Sequence, residues 1–152
     1  MNSFFKTYTE EEDGFNGSCE AYLIDSKKNN LLNWLEKEVA DSEKIYSVIK
    51  ALTTDILIIK NINVDEDFQG QGNGGQILCD LLNESFADSA ILVCDIGESQ
   101  KEGFLLEKFY EENNFKTILK NNNYPLMVYP IELAEMIIEK LNIENKVVKP
   151  KI

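Results

Sequence analysis

Seven consecutive residues, Gln69-Gly70-Gln71-Gly72-Asn73-Gly74-Gly75, hold four of the eight glycines in the chain. With no Cβ in the way, such a main chain can come close to a ligand. Gln76 to Leu82 follows, with Ile77, Leu78, Leu81 and Leu82 recurring at helical spacing. A helix beginning here turns its unpaired N–H groups and the positive end of its dipole back onto the loop. Loop and helix end together suit an anion, most naturally a phosphate or pyrophosphate. The bland alternative is a flexible turn with no ligand.

Those residues need elements to hold them. Ile56-Leu57-Ile58-Ile59, continuing through Ile62 to Val64, is an unalternated apolar run, as in a strand covered on both faces. The acidic bend Asp65-Glu66-Asp67-Phe68 joins it to the loop, and the helix after the loop is expected to run to about Phe86. Ala90 to Ile96 is a second short apolar strand, so strand, crossover helix and strand predict a right-handed βαβ unit. A helix carrying Leu105, Leu106, Phe109 and Tyr110 follows and ends at Asn113-Asn114. Phe115 to Lys120 and Pro125 to Tyr129 predict a hairpin around Asn121-Asn122-Asn123. Pro130 opens a last amphipathic helix, and the segment after it reads as a loose tail.

Upstream, Ser3 to Tyr8 and Cys19 to Ile24 read as strands, and Glu10-Glu11-Glu12-Asp13 as a loop between them. Two helices are expected before the central strand. Leu31 to Val39 forms one, and Asp41-Ser42 caps another with Ile45, Val48, Ile49 and Leu52 on one face. With no repeat or interdomain linker, the 152 residues predict a single α/β domain.

Composition excludes several chemistries. There is no His, so Ser-His-Asp, Cys-His and His-ligated metal sites are ruled out, and no metal site is expected. All 15 basic residues are Lys. Without an Arg fork, a polyphosphate must be gripped by backbone amides, helped by Lys as a point charge. Cys19, Cys79 and Cys94 are too far apart for a zinc site or a disulfide framework, and Cys79 and Cys94 read as buried thiols. A net charge of −12 repels nucleic acid and anionic membranes and attracts cationic partners. Neither a leader peptide nor a long apolar run is seen, so a cytoplasmic protein is expected.

A P-loop would end in Gly-Lys-Ser/Thr, and Gly74-Gly75-Gln76 stands there instead. A dinucleotide fingerprint is formally present as Gly70, Gly72 and Gly75, but five residues separate it from Val64, where that motif follows its strand at once. A small dinucleotide-binding protein therefore stays as a third reading. The stretch from Val64 to Gly74 resembles the acyl-CoA loop of the GNAT superfamily of N-acetyltransferases. That pattern is Gln or Arg, two residues, Gly, one residue, then Gly or Ala. Gln69, Gly72 and Gly74 take its fixed places. Phe109-Tyr110-Glu111-Glu112-Asn113-Asn114-Phe115 is similar to the later motif of that family, an aromatic-Tyr pair followed shortly by Gly-Phe. Asn114 replaces the usual Gly, though Asn tolerates the left-handed conformation needed there. Gly103 replaces an Asn often found seven residues before the Tyr, and Gly75 holds a place often basic.

The resemblance covers roughly Ile56 to Tyr129 and implies a GNAT-like mixed central sheet, with a βαβ cofactor unit and flanking helices. It implies a single domain with a divergent acceptor-side region over about 1–54, a cofactor core over 55–130, a C-terminal helix over 131–142 and a tail over 143–152. Acetyl-CoA would be the acyl donor, its pyrophosphate on the amides of Gln71, Gly72, Asn73, Gly74 and Gly75, with Gln69 and Gly70 completing the loop. Its pantetheine arm would pair like an added strand with Ile62, Asn63 and Val64. A backbone N–H near Val64 would polarise the thioester carbonyl. Tyr110 would give a proton to the departing thiolate, its alternative being an aromatic of the core. The acceptor would be a primary amine on a cationic molecule: a protein lysine or N-terminus, a polyamine or an aminoglycoside. Asp65, Glu66, Asp95 and Glu98 are candidate bases, each with the alternative of a solvated surface charge. A non-catalytic acyl-CoA-binding or protein-interaction module on the same fold is the alternative function.

Overall fold

In the computed structural model the described residues are 2–25, 29–39, 41–53, 55–94, 100–121 and 124–148. The chain opens with strand β1 (Asn2–Tyr8), a single helical turn α1 (Glu10–Asp13) and strand β2 (Gly17–Asp25). The expected acidic loop is therefore a helical turn. Thr9 accounts for it: its Oγ1 accepts from Glu12 N–H at 3.3 Å, and its own N–H donates to Asp13 Oδ2 at 2.9 Å. That reciprocal cap stabilises a nascent turn, and Gly14, at φ 85°, ends it.

Helices α2 (Asn29–Glu38) and α3 (Ser42–Leu52) precede the central strand β3 (Asp55–Val64). A short 3₁₀ turn (Glu66–Phe68) leads through the glycine loop to α4 (Asn73–Ser85) and then β4 (Ala90–Val93). Helix α5 (Gln100–Glu112), the hairpin of β5 (Lys116–Asn121) and β6 (Tyr124–Tyr129), and α6 (Ile131–Val148) complete the chain. The last helix runs beyond the expected limit at 142, so the first part of the expected tail is helical up to Val148.

The six strands lie in the order β1-β2-β3-β4-β6-β5. β3 and β4 pair in parallel across the α4 crossover, and the other neighbours are antiparallel. This is the expected βαβ unit within a mixed sheet. Alternation along β3 divides the core. Leu57 and Ile59 face a cluster built with Ile77, Leu78 and Leu81 of α4 and Tyr110 of α5. Ile56 and Ile58 face one built with Leu31 and Leu35 of α2, Ile45 and Ile49 of α3, and Ile137 of α6. Helices thus cover both faces, which is why the strand reads as a solid apolar run. Each fully buried Leu or Ile stabilises by about 1.5–3 kcal/mol, and slipping β3 by one residue would carry charged Asp55 or Lys60 into the covered stretch, which is strongly disfavoured. Covering stops at Ile59; from Lys60 onward β3 is partly or fully exposed.

Candidate functional site

The site begins where β3 stops being a uniform strand. Its register with β2 pairs Ala21 with Ile59 but Glu20 with Asn61, leaving Lys60 as the extra residue of a β-bulge. A bulge bends its strand and raises the local twist. It also reverses which way the main chain faces. Leu57 N–H donates to Ser89 O at 3.0 Å, on the β4 side. Asp65 N–H donates to Asn16 O at 2.9 Å, on the β2 side. Strict alternation would send both odd-numbered residues the same way, so the bulge between them has switched the sense. Beyond it Asn63 bonds β2, while the main-chain groups of Ile62 and Val64 face away from β2.

What they face is a split in the sheet. The parallel ladder joins only Leu57 to Ala90 and Ile58 to Ile91 among the described residues. β4 meanwhile stays with β6 through Val93 and Leu126, and Cys94 N–H donates to Pro125 O at 2.8 Å. The two central strands therefore part after Ile58. Of the three residues expected to pair with a pantetheine arm, Ile62 and Val64 turn their main-chain groups toward the split and Asn63 does not. The side chains divide as well. Ile62 and Val64 pack on the α4–α5 core, and Asn63 Nδ2 donates to Asn61 Oδ1 at 3.3 Å, the two sharing the opposite face.

The glycine loop closes the end of this split. Gly70 and Gly72 have φ of 75° and 84°, the left-handed region that glycine enters without strain, and Gly72 is the N-cap of α4. Three side-chain amides tie down the carbonyls around them. Gln69 Nε2 donates to Val64 O at 2.8 Å, Asn73 Nδ2 to Phe68 O at 2.8 Å and Gln71 Nε2 to Asp67 O at 3.5 Å. With carbonyls so occupied, N–H groups are left over. Those of Gly70, Gln71, Gly72, Asn73, Gly74 and Gly75 have no partner among the described residues; pairing resumes with Gln76 N–H to Gly72 O at 3.1 Å. Gln69 to Gly72 are exposed and Asn73 to Gly75 half-buried. Partnerless donors at a helix N-terminus are what an anion needs.

Gly74 and Gly75 have a different use. A methyl group at Gly74 would come within 2.8 Å of both Cε1 and Cζ of Phe109, and one at Gly75 within 3.1 Å of Asn113 Oδ1. Asn113 is itself held by donating its Nδ2 to Phe109 O at 2.8 Å. These two glycines thus admit helix α5 against the first turn of α4. The spacing of the glycines carried no sign of this, because Phe109 and Asn113 lie more than thirty residues on.

Tyr110 follows Phe109 and is buried, its ring meeting Phe109 edge-on at 5.0 Å and Phe115 at 5.3 Å. Burial, with the Cys94 thiol beside it, pushes its phenol well above the ordinary tyrosine range. Asn114, at φ 72°, adopts the left-handed conformation expected of it and turns the chain so that Phe115 N–H donates to Tyr110 O at 3.0 Å. Of the candidate bases, Asp65 and Glu66 are exposed at the start of the loop, and Asp95 and Glu98 lie outside the described residues. Cys94 is buried as expected, but Cys79 is exposed, because the buried stripe of α4 runs through Ile77, Leu78 and Leu81 and leaves position 79 outward.

One cluster had no signature in the sequence. Tyr8 Oη donates to Asp80 Oδ2 at 2.7 Å, and Gln76 Nε2 to Asp80 Oδ1 at 2.9 Å. Lys6 Nζ pairs with Glu84 at 3.3 Å and Asp80 at 3.8 Å and lies 5.1 Å above the Tyr8 ring. This network fastens the edge strand β1 to α4 just behind the loop. Among the described residues no group of three or more His, Cys, Asp or Glu gathers as a metal site, and no helix is long and apolar enough to cross a membrane.

No protein-family model matches the sequence, and no curated protein does. Solved structures do match. The PaiA N-acetyltransferase of Thermoplasma acidophilum, in complex with coenzyme A, shares 11% identity at a TM-score of 0.52. The alignment covers 84% of this chain and 60% of that one, so the chain spans less than two thirds of that enzyme. NAA60 of Arabidopsis thaliana, in complex with acetyl-CoA, shares 14% identity at a TM-score of 0.51, with 87% of this chain and 78% of that one covered. At such identities the likeness speaks for architecture: a mixed sheet with a parallel pair at its centre, helices on both faces and a loop-to-helix turn at the end of the central strand. The chain has the fold of the GNAT superfamily of N-acetyltransferases.

Proposed function

We propose that the chain is an acetyl-CoA-dependent N-acetyltransferase acting on a primary amine of a cationic acceptor. The observation that carries this reading is the run of six amides, Gly70 to Gly75, without a partner among the described residues, set at the mouth of a split between two parallel strands. A chain without Arg has no side-chain fork for a diphosphate, and these amides do that work from the main chain. The complexes of the two enzymes of like fold with coenzyme A and acetyl-CoA support the same ligand here.

Acetyl-CoA would supply a thioester whose carbonyl carbon the amine attacks, the C–S bond breaking and the sulfur leaving with its electron pair. The diphosphate rests on the amides of Gln71 to Gly75. Ile62 and Val64 pair with the amides of the arm through the main-chain groups they turn toward the split, in the manner of an added strand. Val64 O already accepts from Gln69, so the Gln69 side chain shares that carbonyl or swings aside. A main-chain N–H in this stretch stabilises the oxyanion. Tyr110 serves as a hydrogen-bond donor to the developing thiolate. A thiol ordinarily titrates near 8.5, and the buried phenol holds its proton far more tightly, so complete transfer from Tyr110 to sulfur is uphill. The proton that the amine sheds goes to water or to a carboxylate such as Asp65 or Glu66.

The test is isothermal titration with acetyl-CoA, followed by a panel of polyamines, aminoglycosides and lysine peptides read by thiol release. Binding with turnover on a cationic amine is expected; no binding at millimolar acetyl-CoA ends the reading. A non-catalytic acyl-CoA-binding module draws support from the close packing of Tyr110 between Phe109 and Phe115. That alternative predicts binding without turnover on every amine tried.

A further inference from the structure

The ring of Phe109 touches two things at once. Its edge lies over Gly74, where a methyl group would come within 2.8 Å, and it meets the Tyr110 ring at 63° with centroids 5.0 Å apart. Just past the end of α5, Asn113 sits against Gly75, where a methyl group would come within 3.1 Å of its Oδ1. Two side chains from α5 and the turn that ends it therefore seat in two glycine sockets in the first turn of α4, the turn whose N–H groups have no partner among the described residues. From this we infer that Phe109 is a positioning residue for acyl transfer. It locks the phosphate-binding turn of α4 to the Tyr110 ring, so that the two ends of the acyl donor are held at a fixed separation. The inference rests on the proposed use of acetyl-CoA.

Gly74 is then glycine for a reason unrelated to its own backbone, which has ordinary dihedrals, and unrelated to room for a phosphate. Its Cβ position is filled by the ring. An alanine there must push Phe109 away, and the displacement reaches both the loop amides and Tyr110. Overpacking of this kind forces side chains off their rotamers and shifts the backbone, which misplaces the helix turn. Positional errors on that scale are expensive at a reacting centre.

Two ligands separate positioning from general loss of structure: CoA, which needs the diphosphate amides, and pantetheine, which lacks the diphosphate. Gly74→Ala should weaken CoA by about tenfold or more while changing pantetheine affinity by less than about twofold. Phe109→Leu, which shortens the ring out of the socket, should restore CoA affinity when combined with Gly74→Ala. By itself Phe109→Leu should lower kcat more than it raises the KM for acetyl-CoA, because Tyr110 loses its neighbour while the amides stay. Equal losses for CoA and pantetheine, an unchanged CoA affinity in Gly74→Ala, or a double variant no better than the single one each overturn the inference. Should Gly74→Ala fail to fold, the kcat-against-KM split of Phe109→Leu decides by itself. Wild-type protein that ignores CoA altogether defeats the functional reading and this one with it. Wild type that binds CoA beside an indifferent Gly74→Ala defeats this one alone.

Discussion

Tyr110 keeps its proton through the physiological range because ionising it would set a charge among Phe109, Phe115 and the buried strands. An activity profile that falls on the alkaline side below pH 10 therefore reports some other group. The phenol also links stability to pH, and the sign follows from proton counting. Above the ordinary tyrosine value near 10, an unfolded chain sheds the proton that the folded one retains, so stability is intact below that value and lost above it. Thermal unfolding of the wild type is expected to decline from about pH 10 upward, and Tyr110→Phe to flatten part of that decline. The same variant should cut kcat by about a hundredfold with acetyl-CoA affinity unchanged. Unchanged kcat would return Tyr110 to the core as packing. Backbone strain is carried by a different residue. Phe86 ends α4 at φ 55° with its side chain 90% exposed. Phe86→Gly should stabilise the protein by up to about 1 kcal/mol in a denaturant titration, the relief of left-handed strain outweighing the extra freedom glycine gives the unfolded chain.

At the scale of elements, the bulge at Lys60 decides what β3 can offer. A continuous ladder would leave no open main chain; the bulge turns Ile62 and Val64 toward the split and keeps Asn63 on β2. Proline reads this difference directly, because it removes one N–H. Val64→Pro should cost little stability and abolish tight binding of acetyl-CoA. Asn63→Pro should cost about 2 kcal/mol by orphaning a ladder partner on β2. Equal destabilisation by the two would mean that the main chain does not alternate as described. β3 also shows how far the elements were legible. Its first half was readable from Ile56 to Ile59, because burial on both faces requires an unbroken apolar run. Its bulge was not, since the extra residue depends on how many residues β2 spends opposite it. The α1 turn was missed for a related reason: a run of acids looks like a loop until Thr9 is seen capping it.

At the scale of the whole molecule, a charge of −12 acts on everything that approaches. It favours a polyamine or a lysine-bearing peptide over nucleic acid and should speed the encounter with such acceptors. With acetyl-CoA saturating, kcat/KM for a polyvalent amine is expected to fall severalfold as ionic strength rises from about 0.01 to 0.15 M, where the Debye length shortens from about 30 to 8 Å. A monovalent amine should respond much less. Rates that ignore salt for both would mean that the acidic surface serves solubility alone.

The elements and their order were decided locally. Helical and strand periods, the Thr, Asn and Gly punctuation and the seven-residue glycine loop are properties of short windows, and short windows are what a sequence displays. The lack of Arg and His likewise restricted the chemistry before any fold was known. What only the tertiary structure decided were the meetings of distant residues: Phe109 over Gly74, Tyr8 on Asp80, and β3 leaving β4 after Ile58. Gly70 and Gly74 look alike in the sequence, yet one is needed for its backbone angle and the other for the ring that covers it. Nothing within a few residues of either distinguishes them, because the cause of the second lies on another helix.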